Sequence, residues 1–411
     1  MKKKNIKKNL LYLLALIIIW SCSDNSKINY VIPKPYSIRI SNELNIYQAD
    51  SLKNHLKNII SDSLFLINDD DFYTINIGYF NSSLSAGEKA FNYFCDSLIG
   101  EYSIYYGDSV KVYDEYRYVP FLGEDFNRPA LFKYDLLKKK KRIIWSKWGR
   151  KILNLSYPKN FSPAYFYTAL TYGRDAGFPY ITDVRVYKFN IYDNTIKRLE
   201  KIGKGLQVFS EFDSSWYYNV YFNILDSTNT SDLIQIKNTY NAKGVKIESS
   251  EKIYNILNDG YPVPRLPLPR LVSPNRKYFL KAEGSDSSIS YFLNNYDKNK
   301  RDFVFSSELE PGKIEWSRDE DYLMISFKNP ANDEDSKLLL IETDGASIIK
   351  EFNNSGALNF IVHGDLLIFD SWNLNDSQII IYNYKKRMPF DTLSVYGGCG
   401  LNYIKSEYIG Y

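Results

Sequence analysis

Few side chains in this sequence are placed for bond-making chemistry. It holds two histidines, His55 and His363. His363 lies in a His-Gly-Asp turn, and a Ser-His-Asp set built on it would have no local nucleophile motif; it reads as a turn residue. HExxH, G-x-S-x-G, a Walker loop and C-x-x-C do not occur. Carboxylates are numerous, yet no pair stands out as the acid and base of a glycosidase or lyase. The acidic stretches 68–71 and 329–336 read as a solvated turn and a hairpin loop, since Asp and Asn bond their own backbone there. No catalytic residue, metal ligand or cofactor is assigned. Hydrogen-bonding chemistry is better placed. Ser37 and Arg39, then Thr74 and Asn76, alternate with apolar residues on two strands, and Tyr105 lies on a third. Polar groups around an aromatic ring suit a glycan strand laid across a sheet.

The elements that must position these residues are legible in the apolar period. Tyr36, Ile38 and Ile40 point to one side of a strand. A helix over about 47–60 follows, with Ala49, Leu52, Leu56 and Ile59/Ile60 as its apolar stripe. A short strand at 64–67 and a turn lead to Tyr73, Ile75 and Ile77, opposite Thr74 and Asn76, with Gly78 ending the strand. A second helix over about 84–98 buries Ala86, Ala90, Phe91, Phe94 and Leu98, and 102–107 is a last strand. The order βαββαβ predicts a four-stranded antiparallel sheet with both helices on one face. Ser37, Arg39, Thr74, Asn76 and Tyr105 then lie on the open face.

Residues 36–107 resemble the SPOR domain, the sporulation-related repeat that binds bacterial cell-wall glycan. The second half carries the resemblance: Tyr73 opening a strand, Gly78 and Phe80 at its turn, Ser82/Ser83, then Ala86 in the helix. In the first half Tyr36 and Ala49 keep the family spacing. Ser41 and Glu43 stand where Gly and Phe are usual, and Arg39 where Gln is often seen. The resemblance implies a ferredoxin-like fold and a peptidoglycan strand, stripped of stem peptides, on the open face.

The first 22 residues are of another kind. A basic run, "MKKKNIKKN", precedes "LLYLLALIII", too short to span a bilayer comfortably. "WSC" then resembles the bacterial lipobox, with Trp20 bulkier than usual. The resemblance implies lipidation at Cys22, a tether over 23–35, and an envelope protein anchored in a membrane, the outer membrane by preference, with its face left open. Cys95 and Cys399 remain, too few for a disulfide framework or zinc site. Cys95 falls on the apolar side of the second helix and reads as a buried, inert thiol.

From 109 on the texture is wholly β, in strands of four to eight residues split by Asn, Asp, Gly and Ser. Two stretches share a plan: "LVSPNRKYFLKAEG" and "IEWSRDEDYLMISF" each read apolar, Ser, charged turn, Tyr, strand. The plan recurs in eroded form at 358–393. A period of roughly 40–50 residues with four strands is that of a β-propeller blade. The "WS-x-D-x-x-Y" at Trp316–Tyr322 resembles the TolB-type propeller, which implies six blades across 109–411. The run Lys138–Arg142 reads as a solvated hairpin, 262–270 as a stiff connector, and 396–400 as a structural turn. The aromatic cluster Tyr165, Phe166, Tyr167, Tyr172, Phe178 and Tyr180 reads as packing rather than a sugar platform.

The chain's 411 residues are too many for one ordinary domain. With 52 basic and 48 acidic residues the net charge is +4, a mixed surface that argues against a nucleic-acid partner. The sequence reading is a lipid-anchored envelope protein with a glycan-binding module and a propeller offering loops to a protein or saccharide. The alternative is a propeller-based lipoprotein enzyme acting on polysaccharide or peptide.

Overall fold

The computed structural model describes residues 36–395 except 70–71, 108–109, 113, 115, 126–127, 157–162, 176–177, 203–206, 213–216, 226–231, 242, 256–257, 259–270, 286–287, 330–331 and 374–375. Cys22, the tether, the connector at 262–270 and the turn at 396–400 lie outside the described residues. The chain forms two compact units. One takes the residues up to Ala86 together with Ser103–Val112; the other takes Gly87–Tyr102 and those from Tyr113 on.

The first unit follows the anticipated element order with one strand added: β1 (Tyr36–Leu44), α1 (Ile46–Lys57), β2 (Leu64–Asp69), β3 (Phe72–Phe80), α2 (Ser83–Cys95), β4 (Tyr102–Tyr106) and β5 (Val110–Val112). Its sheet runs β2-β3-β1-β4-β5. Helix α1 starts where Asn45 and Gln48 bond each other's backbone N–H groups, a capping box. Ala49 and Leu56 are buried, as is Ile60 beyond the helix end, while Ile59 is exposed. Ile38 faces Ile77 and Ile40 faces Ile75 across the β1–β3 ladder, and all four are buried. Gly78 sits at φ +60°, where a Cβ would meet the Phe80 ring at 2.8 Å. Only glycine takes that backbone without strain.

Helix α2 begins with the Ser82 hydroxyl accepting the Ser85 N–H at 3.1 Å and stops at Cys95, short of the expected 98. Ser97 turns to φ +60°, and the Leu98 N–H reaches back to the Tyr93 carbonyl. The compact units divide α2 after Ala86, and the apolar side of its later turns packs within the second unit.

In the second unit six antiparallel sheets follow one another among the described residues. Sheet one holds β6 (Tyr118–Asp125), β7 (Arg128–Asp135) and β8 (Lys140–Ser146). Sheet two holds β9 (Lys151–Ser156), β10 (Ala164–Ala169), β13 (Val184–Phe189) and β14 (Ile196–Ile202). Between β10 and β13 the chain makes a separate two-stranded ribbon, β11 (Thr171–Asp175) and β12 (Phe178–Thr182). Sheet three is β15 (Gln207–Phe212), β16 (Tyr218–Leu225), β17 (Asp232–Tyr240) and β18 (Lys246–Asn255). Sheet four is β19 (Tyr278–Ser285), β20 (Ser288–Asn295) and β21 (Lys300–Ser307). Sheet five is β22 (Glu310–Trp316), β23 (Tyr322–Asn329), β24 (Asn332–Glu342) and β25 (Ser347–Asn353). Sheet six is β26 (Ser355–His363), β27 (Leu366–Asn373), β28 (Asp376–Asn383) and β29 (Met388–Val395). The stretch 329–336, expected as a loop, is mostly strand: Asn329 pairs with Asn332 and Lys328 with Ser336. Mostly β, in successive meanders, the unit is propeller-like.

Apolar and aromatic residues fill the spaces between several successive sheets. Tyr165, Val184 and Val186 of sheet two pack with Tyr218, Val220 and Phe222 of sheet three. Tyr291 and Phe305 of sheet four meet Phe327 of sheet five. Met324 and Leu340 of sheet five meet Phe360 and Phe369 of sheet six. Trp145 of sheet one stands edge-on to Phe166 of sheet two at 5.6 Å. Sheet six in turn touches sheet one. Tyr134 donates to the Asp391 carboxylate. The Lys139 and Lys141 ammonium groups donate to the carbonyls of Phe390 at 3.1 Å and Ser394 at 3.2 Å. The run Lys138–Arg142 is exposed, as expected, and two of its lysines also bind one sheet's hairpin to another sheet's backbone.

The anticipated repeat has a physical basis. Ser273 and Ser317 each exchange backbone bonds with a tyrosine five residues on: the serine N–H donates to the Tyr278 or Tyr322 carbonyl, and the serine hydroxyl accepts the tyrosine N–H at 3.0 Å. A second repeat closes the last hairpin of every sheet. Asp135, Asn190, Asn241, Asn295 and Asn383 each accept a backbone N–H two or three residues on. Each turn then ends on a left-handed residue: Lys139, Asn194, Gly244, Asn299 and Arg387. Sheet five has Glu342 at the first place and Ala346 at the second. This is a type I turn closed by a left-handed bulge.

Arg387 holds φ +57°, a strained place for a side chain. Arg387→Gly is expected to raise stability by about 1 kcal/mol and Arg387→Val to lower it by more, read from urea unfolding midpoints.

Candidate functional site

The proposed glycan-contact residues do come together. Register places Phe65 of β2, Asn76 of β3 and Arg39 of β1 side by side. The Arg39 Nε donates to Asn76 Oδ1 at 3.3 Å, and Asn76 Nδ2 donates to Ser37 Oγ at 3.2 Å. The Arg39 guanidinium lies 4.0 Å over the Tyr105 ring, and Tyr105 faces Lys111 on β5. Thr74 shares this face.

The expected exposure is not found. Ser37, Arg39, Thr74 and Asn76 are only 1, 9, 9 and 2% exposed. Strand alternation says which face a residue takes, not whether that face is open. Buried polar groups persist when they bond one another, and Ser37, Arg39 and Asn76 do so, whereas the buried Thr74 hydroxyl has no hydrogen-bond partner among the described residues. Accessible aromatic surface lies beside it: Tyr79 is 56% exposed and its ring is 4.7 Å from Phe65. The sequence reading missed that pair, because the left-handed Gly78 breaks the alternation from which faces are counted.

The two histidines part company. His55 is exposed on α1. His363 closes β26, buried between the Phe91 ring at 5.3 Å and the Tyr116 ring at 5.0 Å. Its Nε2 is 2.7 Å from the Tyr116 carbonyl oxygen; a carbonyl only accepts, so Nε2 carries the proton. Burial pushes His363 down to about 4, with the Tyr116 bond pulling weakly the other way. It is neutral at pH 7 and packed as structure. The neighbouring Asp365 pairs with Lys385 at 3.0 Å, and Lys385 also holds Asp319 at 3.1 Å.

Other strongly shifted groups are likewise structural. Asp183 is held down to about 2, chiefly by Arg185 and by Arg150, and Arg150, fully buried, also bonds Thr168 at 3.0 Å. The Cys95 thiol is free, buried, and pushed far up by that burial, as the sequence anticipates. Tyr165, Phe166 and Tyr167 are buried packing residues; Tyr172, Phe178 and Tyr180 lie on the β11–β12 ribbon. Among the described residues no group of three or more His, Cys, Asp or Glu side chains is arranged to hold a metal ion, and no helix is long and apolar enough to cross a membrane.

No protein-family model matches the sequence, and no curated protein does. Solved structures show likenesses of arrangement at low identity. TolB from Acinetobacter baumannii is 11% identical over 68% of this chain and 64% of that one, with a TM-score of 0.39. A putative TolB from Agrobacterium tumefaciens is 9% identical over 68% of this chain and 90% of that one, at 0.31. A chain of a nidogen/laminin complex is 10% identical over 67% and 92%, at 0.32. The neighbours include TolB-like β-propeller proteins. This chain spans 64% of the first of them.

Asn76→Leu removes the acceptor of Arg39 and the donor to Ser37 inside a buried row. It is expected to cost about 2–3 kcal/mol of stability by denaturant unfolding. A change within about 0.5 kcal/mol would instead mark the row as solvent-facing.

Proposed function

We propose that this chain is an envelope lipoprotein, anchored through Cys22, whose six sheets close into a propeller that binds a macromolecular partner through its turns and loops. The observation that carries the reading is the bonding of sheet six to sheet one. Tyr134, Lys139 and Lys141 join the two ends of the sheet series, as a ring requires and an open row does not. A closed ring of meanders offers two rims of turns on a rigid support, a plan suited to recognition. The six equivalent left-handed hairpins support a six-fold repeat. Anchoring rests on the basic run, the short apolar stretch and the cysteine behind them.

Glycan binding by the first unit is the second reading, and its chemistry is narrower than the sequence implies. Ser37, Arg39 and Asn76 are occupied with one another and Thr74 is buried beside them, so contact with a sugar ring falls to Tyr79, Phe65 and Tyr105. Aromatic faces stack on the apolar faces of sugars, and this pair leaves one ring half open.

Cys22→Ala is expected to abolish incorporation of a fatty-acid label and to move the protein out of the membrane fraction. Unchanged labelling would remove the anchor. Sedimentation of the full chain with denuded peptidoglycan is expected to fall severalfold in Tyr79→Ala and to hold in Tyr47→Ala, where a still more exposed tyrosine is lost from α1. Equal pelleting of all three chains removes the glycan reading and leaves the propeller reading standing.

A further inference from the structure

The segment Gly87–Tyr102 packs within the second unit differently from the sheets. It presents one helical side, held by ring contacts at its centre and ion pairs at its rim. Phe91 is the centre. It is fully buried, 5.3 Å from the His363 ring and 5.8 Å from the Tyr116 ring. Gly364, at φ +57°, leaves it room, since a Cβ there would stand 2.8 Å from the Phe91 ring. Phe94 sets its edge against Phe390 of β29 at 6.1 Å. At the rim Glu88 pairs with Arg318, and Asp96 lies 3.9 Å from Lys386. The segment therefore rests on sheets five and six and on the chain entering sheet one. His363 lies beneath it and touches both Phe91 and Tyr116.

We propose that Gly87–Tyr102 is a latch across the junction of sheets six and one, and that protonation of His363 releases it. A neutral imidazole satisfies the Tyr116 carbonyl with its one N–H. A second proton would place a full charge on a residue only 4% exposed, without the hydration it has once the helix lifts. This inference stands apart from the anchoring and partner-binding reading.

The direction follows from the shift. His363 sits at about 4 when docked, against an ordinary 6.5. Docking is strongest above pH 6.5, weakens as pH falls towards 4, and levels off below. Other ionisable groups face the same place. On sheet six, burial pushes Asp365 up while Lys385 pulls it down; its protonation on acidification favours docking and opposes His363. In the turn before β23, burial raises Asp319, but Ser317 and Lys385 outweigh that and leave it lowered. Beside Tyr116, Asp114 accepts the Tyr116 N–H at 2.9 Å and Arg117 pairs with Asp135 at 2.8 Å. Burial pushes Cys95, Tyr102 and Tyr384 up, so all three stay neutral on acidification. Among these described groups, His363 is the one that gains a charge beneath Phe91.

Hydrogen exchange of the full chain, with rates corrected for the intrinsic effect of pH, tests the latch. Opening of Gly87–Tyr102 is expected to rise roughly twentyfold from pH 7 to pH 5, while β10 and β24 stay protected. Gly364→Ala is expected to raise opening at pH 7, and His363→Phe to keep the segment docked with its pH dependence gone. Should His363→Phe fail to fold, His55→Gln leaves His363 as the one imidazole for carbon-13 NMR. Its midpoint is expected well below 6.5, and to move upward when Gly364→Ala is added. Equal opening at pH 5 and pH 7, or a midpoint at or above 6.5, overturns the latch.

Discussion

A series of sheets packed face to face has a first face and a last one, and both must be covered. In this chain the first and last described sheets of the series are hydrogen-bonded to each other. Tyr134 reaches Asp391, and two ammonium groups on the β7–β8 hairpin take carbonyls from β29. The same contacts satisfy backbone oxygens on an outer strand, which would otherwise offer themselves to another chain. Ammonium-to-carbonyl bonds are charge-assisted, and they tolerate imperfect register in a way a strand ladder does not. Phe121, Leu131 and Phe132 in sheet one and Ile379 and Ile381 in sheet six are buried.

How much of this was legible follows from what each interaction asks of the sequence. The serine turns could be read because they need a particular side chain at one place and a strand five residues on. The left-handed hairpins could not. Their last position is filled by Lys, Asn, Gly, Asn, Ala and Arg, and the turn asks for a backbone angle more than for a side chain. Lys138–Arg142 is exposed as its charge suggests, but the bonds of Lys139 and Lys141 were hidden for a related reason. A charge run advertises water, and nothing local shows that a distant strand supplies the acceptors.

In the first unit the alternation of β1 and β3 located the Ser37–Arg39–Asn76 row correctly and said nothing of its cover. The boundary in α2 was hidden by continuity, since one helical period runs through Ala86 into Phe91 without a break in composition. The two ends of that helix serve different compact units, and only tertiary packing shows it.

The β11–β12 ribbon has a consequence of its own. Its strands pair with each other from Thr171↔Thr182 to Asp175↔Phe178, while β10 and β13 pair directly, Ala164 with Phe189 through Thr168 with Arg185. One backbone bond, from the Leu170 N–H to the Thr182 carbonyl, closes its neck. The ribbon is a peninsula that descendants of this gene can lengthen, trim or replace without disturbing the parent ladder, which leaves it open to diversification while the surrounding framework stays fixed.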